Sequence, residues 1–209
     1  MGQSSRRLFV IALAVLSLAG CNKIAALTGG QNKVTADDMS LGNASAKVTV
    51  IEYASATCPH CARFNNDVFP GFKAKYIDTG RIHYVFREFL TEAPEVGAAA
   101  FLTARCAGKD KYFSVLDAVF KAQTQMFTSG DIKGTLLGIA ESAGLTEAQF
   151  NACINDNAAL TALNNRVQSY TDKDGIDSTP TFVVNGKKLV GEQTEAGLDK
   201  AIADAQAAK

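Results

Sequence analysis

The chemistry in this chain is concentrated at Cys58-Pro59-His60-Cys61. Two thiols three positions apart can supply half a zinc site, close a structural bridge, or pass a disulfide to another molecule. Zinc normally takes four ligands, and the donors left for it are His60, His83, Cys106 and Cys153, none at a familiar ligand spacing. A structural bridge between 58 and 61 would close a small ring that constrains little. The surroundings favour exchange. "KVTVIEYAS", residues 47–55, is rich in β-branched residues and almost continuously apolar, as a strand buried on both faces should be. Pro59 suits the first position of a helix, where its missing N–H would be unpaired anyway. Cys58 therefore falls at a strand-to-helix junction, where helix amides and the positive dipole end stabilise a thiolate. Cys61, one turn inside, is expected to be more covered, so Cys58 should attack and Cys61 resolve. A protonated His60 beside Cys58 would add to the effect. Each pKa unit of depression stabilises the reduced form by about 1.4 kcal/mol at a pH above both values, which makes the disulfide about 30 mV more oxidising.

The elements that must hold this pair follow from periodicity. Phe64, Val68, Phe72 and Tyr76 recur every four residues as one stripe of an amphipathic helix, with a kink or break expected at Pro70-Gly71. Thr79-Gly80 ends the helix and "RIHYVF" is the next strand, a parallel βαβ unit. Residues 93–172 read as helical, punctuated by Pro94, Gly108, Ser129-Gly130 and Gly144, with "TEAQ" at 146–149 fitting a capping box. "TFVV" and "KKLV" flank Asn185-Gly186, a strong hairpin signal, and "TEAGLDKAIADAQAA" closes the chain as a helix. The predicted fold class is α/β: a thioredoxin-like core, βαβ then ββα, over 46–92 and 173–207, with an inserted all-helical domain over 93–172.

The N-terminus is of another kind. Arg6-Arg7 precede an apolar run too short to span a bilayer comfortably, and small residues follow, as in a signal peptide over 1–20. The chain is thus expected to be exported. Leu18-Ala19-Gly20-Cys21 resembles the bacterial lipobox, in which Cys21 would carry a lipid; cleavage with Cys21 incidental is the plainer alternative. The arginine pair fits a twin-arginine signal and the general export route alike. Residues 21–45 read as a flexible tether of small and polar residues. With 21 basic and 21 acidic residues and a pI of about 6.7, charge gives no reason to expect nucleic acid. Setting Cys21 aside leaves four cysteines, an even number that favours two bridges in an oxidising compartment. Cys106 follows Ala98 and Leu102 at helical spacing, and Cys153 follows Phe150. Both face the core of the insert on this reading, as a structural disulfide or as two buried thiols.

"VIEYASATCPHCARF", "GIDSTPTFVVNG" and the helical segment between them resemble the DsbA-like thiol–disulfide oxidoreductases of the alphaproteobacterial lipoprotein type, from about residue 38 to the end. The resemblance implies Cys58 as nucleophile, Cys61 as resolving cysteine and Pro59-His60 as the tuning dipeptide. Thr179-Pro180 matches the substrate-binding loop whose proline is cis and faces the active-site sulfurs. Glu52, six residues before Cys58, matches an acidic residue beneath the site that relays protons; an edge-facing carboxylate is the other reading. Ser178 stands where many relatives have glycine, and Ala54 and Ala56 are smaller than the aromatics some carry, which bears on groove shape.

The expected function is a periplasmic thiol oxidase, lipid-anchored to a membrane, donating its Cys58–Cys61 disulfide to unfolded exported proteins without a cofactor or metal. The resemblance implies a DsbB-type membrane partner that reoxidises it. A reductase or isomerase kept reduced by another system is the nearest alternative, and a soft-metal carrier through Cys58 and Cys61 is the alternative of another class.

Overall fold

The structure is a computed structural model that describes Met1 and residues 33–208. The signal segment, Cys21 and the tether up to residue 32 lie outside the described residues, Met1 apart. Strand β1 (Met39–Gly42) is followed by β2 (Val48–Ala54), which pairs parallel with β3 (Ile82–Glu88) and antiparallel with β4 (Thr181–Val184). Having strands on both sides and packing on both faces explains why β2 is almost wholly apolar. β4 turns through Asn185-Gly186, at φ +45° and +89°, into antiparallel β5 (Lys187–Val190). Two consecutive positive φ angles are what a type I′ hairpin needs. The sheet order is β1-β3-β2-β4-β5.

Alternation along β2 divides the core. Val48, Val50 and Ala54 join the larger cluster, with Phe64, Phe72, Tyr84, Phe86, Phe101 and the inner face of the last helix, α8 (Glu195–Ala207). Ile51 and Tyr53 face the other way, toward Val85, Phe89, Tyr170 and Ile176. Between β3 and β4 lie α3 (Pro94–Cys106), α4 (Lys109–Ser129), α5 (Ile132–Ser142), α6 (Glu147–Ile154) and α7 (Asn157–Asp174). Thr146 and Gln149 form the capping box at the start of α6. Cys106, at the end of α3, is bridged to Cys153 on α6, with Cα atoms 6.3 Å apart.

The helix after Cys58 departs from the expected one. α1 (Pro59–Arg63) passes into a π-helical turn (Phe64–Val68), then α2 (Phe69–Phe72), then a second π turn (Lys73–Ile77). There is no break at Pro70-Gly71. The N–H of Phe69 reaches back five residues to the Phe64 carbonyl, and this wider turn accommodates a proline that cannot donate and would crowd a regular ladder. It also shifts the apolar stripe. Phe69 stacks at 5.1 Å from Tyr84 and 6.2 Å from Phe64, while Val68 is only half-buried.

The tether expected to run to residue 45 is corrected in its described part: residues 33–45 are folded. β1 pairs antiparallel with β3, Met39 opposite Phe86 and Leu41 opposite Tyr84, and so covers an edge that would otherwise be open. Asp38 is needed by a buried cation. Arg87, 3% exposed on β3, donates to Asp38 (3.0 and 3.2 Å), Asp174 (2.9 Å), the Tyr53 hydroxyl (2.7 Å) and the Lys33 carbonyl (2.8 Å). Its neighbour Glu88 accepts from Arg105 of α3 (2.6 Å), Tyr112 of α4 (3.0 Å) and Arg166 of α7 (2.7 Å), so one buried carboxylate ties three helices of the insert to the sheet. Charges taken out of water persist only when paired and hydrogen-bonded in this way.

Candidate active site

Cys58 is the N-cap residue of α1, with extended backbone (φ −79°, ψ 119°), and Pro59 opens the helix behind it. The N-cap position aims its sulfur at the first free amides, and the Cys61 N–H donates to it at 3.3 Å. Cys58 is 5% exposed and Cys61 fully buried; the two are unbridged. Their acidities are driven apart. The Cys58 thiol is pulled from 9.0 to about 6, first by the hydrogen bond from the Cys61 thiol, then, against burial, with help from the backbone N–H groups of Cys61 and His60. Burial, and then Cys58 itself, push the Cys61 thiol far above its ordinary value. At neutral pH one sulfur is a thiolate and the other holds its proton.

His60 is brought to the site differently from the sequence expectation. Its imidazole is exposed and bonded at 2.9 Å to Glu192, and Arg63 contacts the same ring nitrogen. What reaches Cys58 from His60 is its backbone N–H. The ring is held by a carboxylate and a guanidinium from residues that carry no obvious signal in the sequence.

The Thr179-Pro180 peptide is cis, and the Thr179 carbonyl lies 3.5 Å from the Cys58 sulfur, able to accept from it only in its protonated form. Ser178 turns its hydroxyl to Asp177 at 3.0 Å. Ala54 and Ala56 are buried. Glu52 lies on the β2 face that carries Val50 and Ala54, 2% exposed, with the Tyr84 hydroxyl donating to it at 2.6 Å. Burial raises its carboxyl from 4.5 to about 8, with Tyr84 opposing and Cys58 adding to the rise. Glu52 in turn contributes to the rise at Cys61. The Glu52 carboxyl is thus electrostatically coupled to both sulfurs.

Gln123 of α4 is buried and donates to the carbonyls of Ala56 (2.9 Å) and Cys58 (3.2 Å), tying the helical insert to the active-site loop. Thr57 donates to the Glu92 carbonyl at 2.6 Å, in the segment that leads into α3. Gln123 and Tyr84 went unforeseen: a lone glutamine on a helix and a tyrosine in a strand announce nothing until the fold aims them. Beside the cysteines opens a groove of about 570 Å³ lined by Pro59, His60, Ala93, Gln123, Thr124 and Phe127, among others. Phe127 is one of the few large apolar side chains left exposed among the described residues.

The Thioredoxin family model matches residues 34–204. A Rickettsia bellii protein, provisionally named a protein-disulfide oxidoreductase, is 34% identical over 178 residues, covering 83% of this chain and 68% of the relative. A similarly named Rickettsia conorii protein is 35% identical over 155 residues, 74% of this chain and 55% of the relative, so the chain spans only part of these longer proteins. Among solved structures, Wolbachia pipientis alpha-DsbA1 superposes with a TM-score of 0.74 at 31% identity, over 83% of this chain and 94% of that one. BdbD from Bacillus subtilis does so with a TM-score of 0.68, over 80% and 92%; at 21% identity it speaks for the fold alone.

Proposed function

The chain belongs to the thioredoxin family, among its DsbA-like thiol–disulfide oxidoreductases, and from that premise we propose that it is a thiol oxidase of exported proteins. A client thiolate attacks the Cys58 sulfur of the Cys58–Cys61 disulfide, and Cys61 leaves and takes up a proton. The client's second thiol then attacks the client sulfur of the mixed disulfide, and Cys58 departs as a thiolate. Two client thiols become one disulfide, the enzyme disulfide becomes a thiolate and a thiol, and one proton goes to water. The observation that carries this reading is the split in acidity at the helix start. A thiolate that is stable at Cys58 is a good leaving group and makes the reduced enzyme the favoured product. The groove beside the pair and the Thr179 carbonyl suit an extended client segment, taken up partly through its backbone.

The signal segment over 1–20 and Cys21 support export to the periplasm and a lipid anchor, and a membrane reoxidant of the DsbB type would return the pair to the disulfide. Equilibration of the purified protein with glutathione tests the chemistry: an oxidase is reduced by small amounts of glutathione, whereas a pair that stays oxidised in glutathione excess is poised as a reductase. Fractionating cells that carry Cys21→Ser tests the anchor. An unmodified mature N-terminus in the soluble fraction of wild-type cells would remove the anchor and leave the oxidase reading standing.

A further inference from the structure

Glu192 sits in the loop between β5 and α8, more than a hundred residues from the active-site helix in sequence, yet its carboxylate grips that helix twice. Oε2 lies 2.9 Å from His60 Nδ1 and 2.9 Å from an Arg63 terminal nitrogen, and Arg63 Nε donates to Oε1 at 3.3 Å. The loop is held in place. The Gly191 N–H donates to the Pro180 carbonyl at 2.9 Å, and the Gln193 amide donates back to the Gly191 carbonyl at 3.0 Å. Thr194, not Glu192, caps α8. His60, Arg63 and Glu192 are all substantially exposed, and exposed pairs add little to stability. What remains for this carboxylate is its effect on the charges it holds.

Resting on the reading of Cys58–Cys61 as an exchanging pair, we propose that Glu192 sets the oxidising power of that pair, as a positioning residue. It holds the His60 imidazole and the Arg63 guanidinium on its own carboxylate and cancels positive charge that would otherwise stabilise the Cys58 thiolate. Arg63 senses that thiolate: it is held above its ordinary value by Glu192 first and, among lesser causes, by Cys58. On this view the Cys-Pro-His-Cys segment is a stronger oxidant than the molecule needs, and Glu192 moderates it.

The test is the glutathione equilibrium of purified E192Q, R63Q and the double variant, with the alkylation pKa of Cys58 measured alongside. E192Q is isosteric, and R63Q replaces an exposed guanidinium with a shorter polar side chain. E192Q should move the equilibrium toward the reduced protein by roughly threefold at low salt, as expected for one partly screened charge, or about 14 mV. R63Q should move it the opposite way by a similar factor, the double variant should return near wild type, and the differences should shrink in high salt. A purely mechanical clamp would be broken by either single change, so both would shift in the same direction. That result, or no shift in E192Q, overturns the proposal. A wild-type pair that does not exchange with glutathione at all would overturn the proposed function as well.

Discussion

Replacing Cys61 by alanine should raise the pKa of Cys58 past neutrality, whereas Cys61→Ser should leave it within about a unit of wild type. The wild-type thiol is drawn from 9.0 to about 6, and the hydrogen bond from the Cys61 thiol is the leading cause. Because the pKa is depressed, the stabilisation of the reduced form is fully present above pH 9 and is lost as the pH falls through 6. Its full size is about 4 kcal/mol, of which about 1.4 kcal/mol, roughly tenfold in the exchange equilibrium, remains at pH 7. Alanine removes the side-chain donor but keeps the Cys61 N–H at 3.3 Å; serine keeps both. The rate of iodoacetamide modification of the reduced protein, followed across the acid and neutral range with products mapped by mass spectrometry, reads the pKa at Cys58 directly. Three results would refute the reasoning: an ordinary thiol pKa in wild type, equal pKa values in wild type and Cys61→Ala, or modification of Cys61 before Cys58.

Glu52 has the opposite sign. Its carboxyl is raised from 4.5 to about 8, so folding bears a cost that begins above pH 4.5 and is complete above 8. The reduced Glu52→Gln protein should therefore gain on wild type between acid and alkaline pH, by about 3–5 kcal/mol in urea titrations; a constant difference would mean that the carboxyl ionises normally. Removing the Cys106–Cys153 bridge with a double alanine variant opens a loop with a sequence separation of 47 and should cost up to about 4 kcal/mol by loop-closure entropy. It should lower the melting temperature and leave the Cys58 alkylation pKa in place; an unchanged melting temperature would contradict it. Arg87→Met takes the guanidinium away from Asp38, which keeps its Thr35 donors, and from Asp174, which keeps the Tyr53 hydroxyl. It should cost about 3–5 kcal/mol and expose residues 33–38 to proteases. Stability equal to wild type would show that the cluster is dispensable.

Features governed by local rules could be read from the residue order. Pro59 after a β-branched run places Cys58 at a helix start wherever the helix packs, because capping needs only the backbone of that turn. Asn185-Gly186 specifies a hairpin because both residues tolerate positive φ. Thr146 and Gln149 close a capping box three residues apart. The thioredoxin-like order of elements follows from such signals, whereas the choice between a Cys106–Cys153 bridge and two buried thiols was left to the structure, which bridges them. Tertiary structure decided the rest, because the deciding partners are far apart in the chain. The folding of residues 33–45 depends on the open edge of β3 and on the charge of Arg87, neither visible in a small, polar stretch. The π turn at Phe64–Val68 carries the helix through Pro70, where the residue order by itself allowed a kink or a break. The acidity of Cys58 was legible in direction from its helix position, but the thiol that leads it acts through burial, which only packing creates. His60 shows the limit most plainly. Its place between the cysteines suggested a cation beside the nucleophile; in the structure its ring pairs with Glu192, in a loop near the other end of the chain, and no local pattern records a pairing across 132 residues.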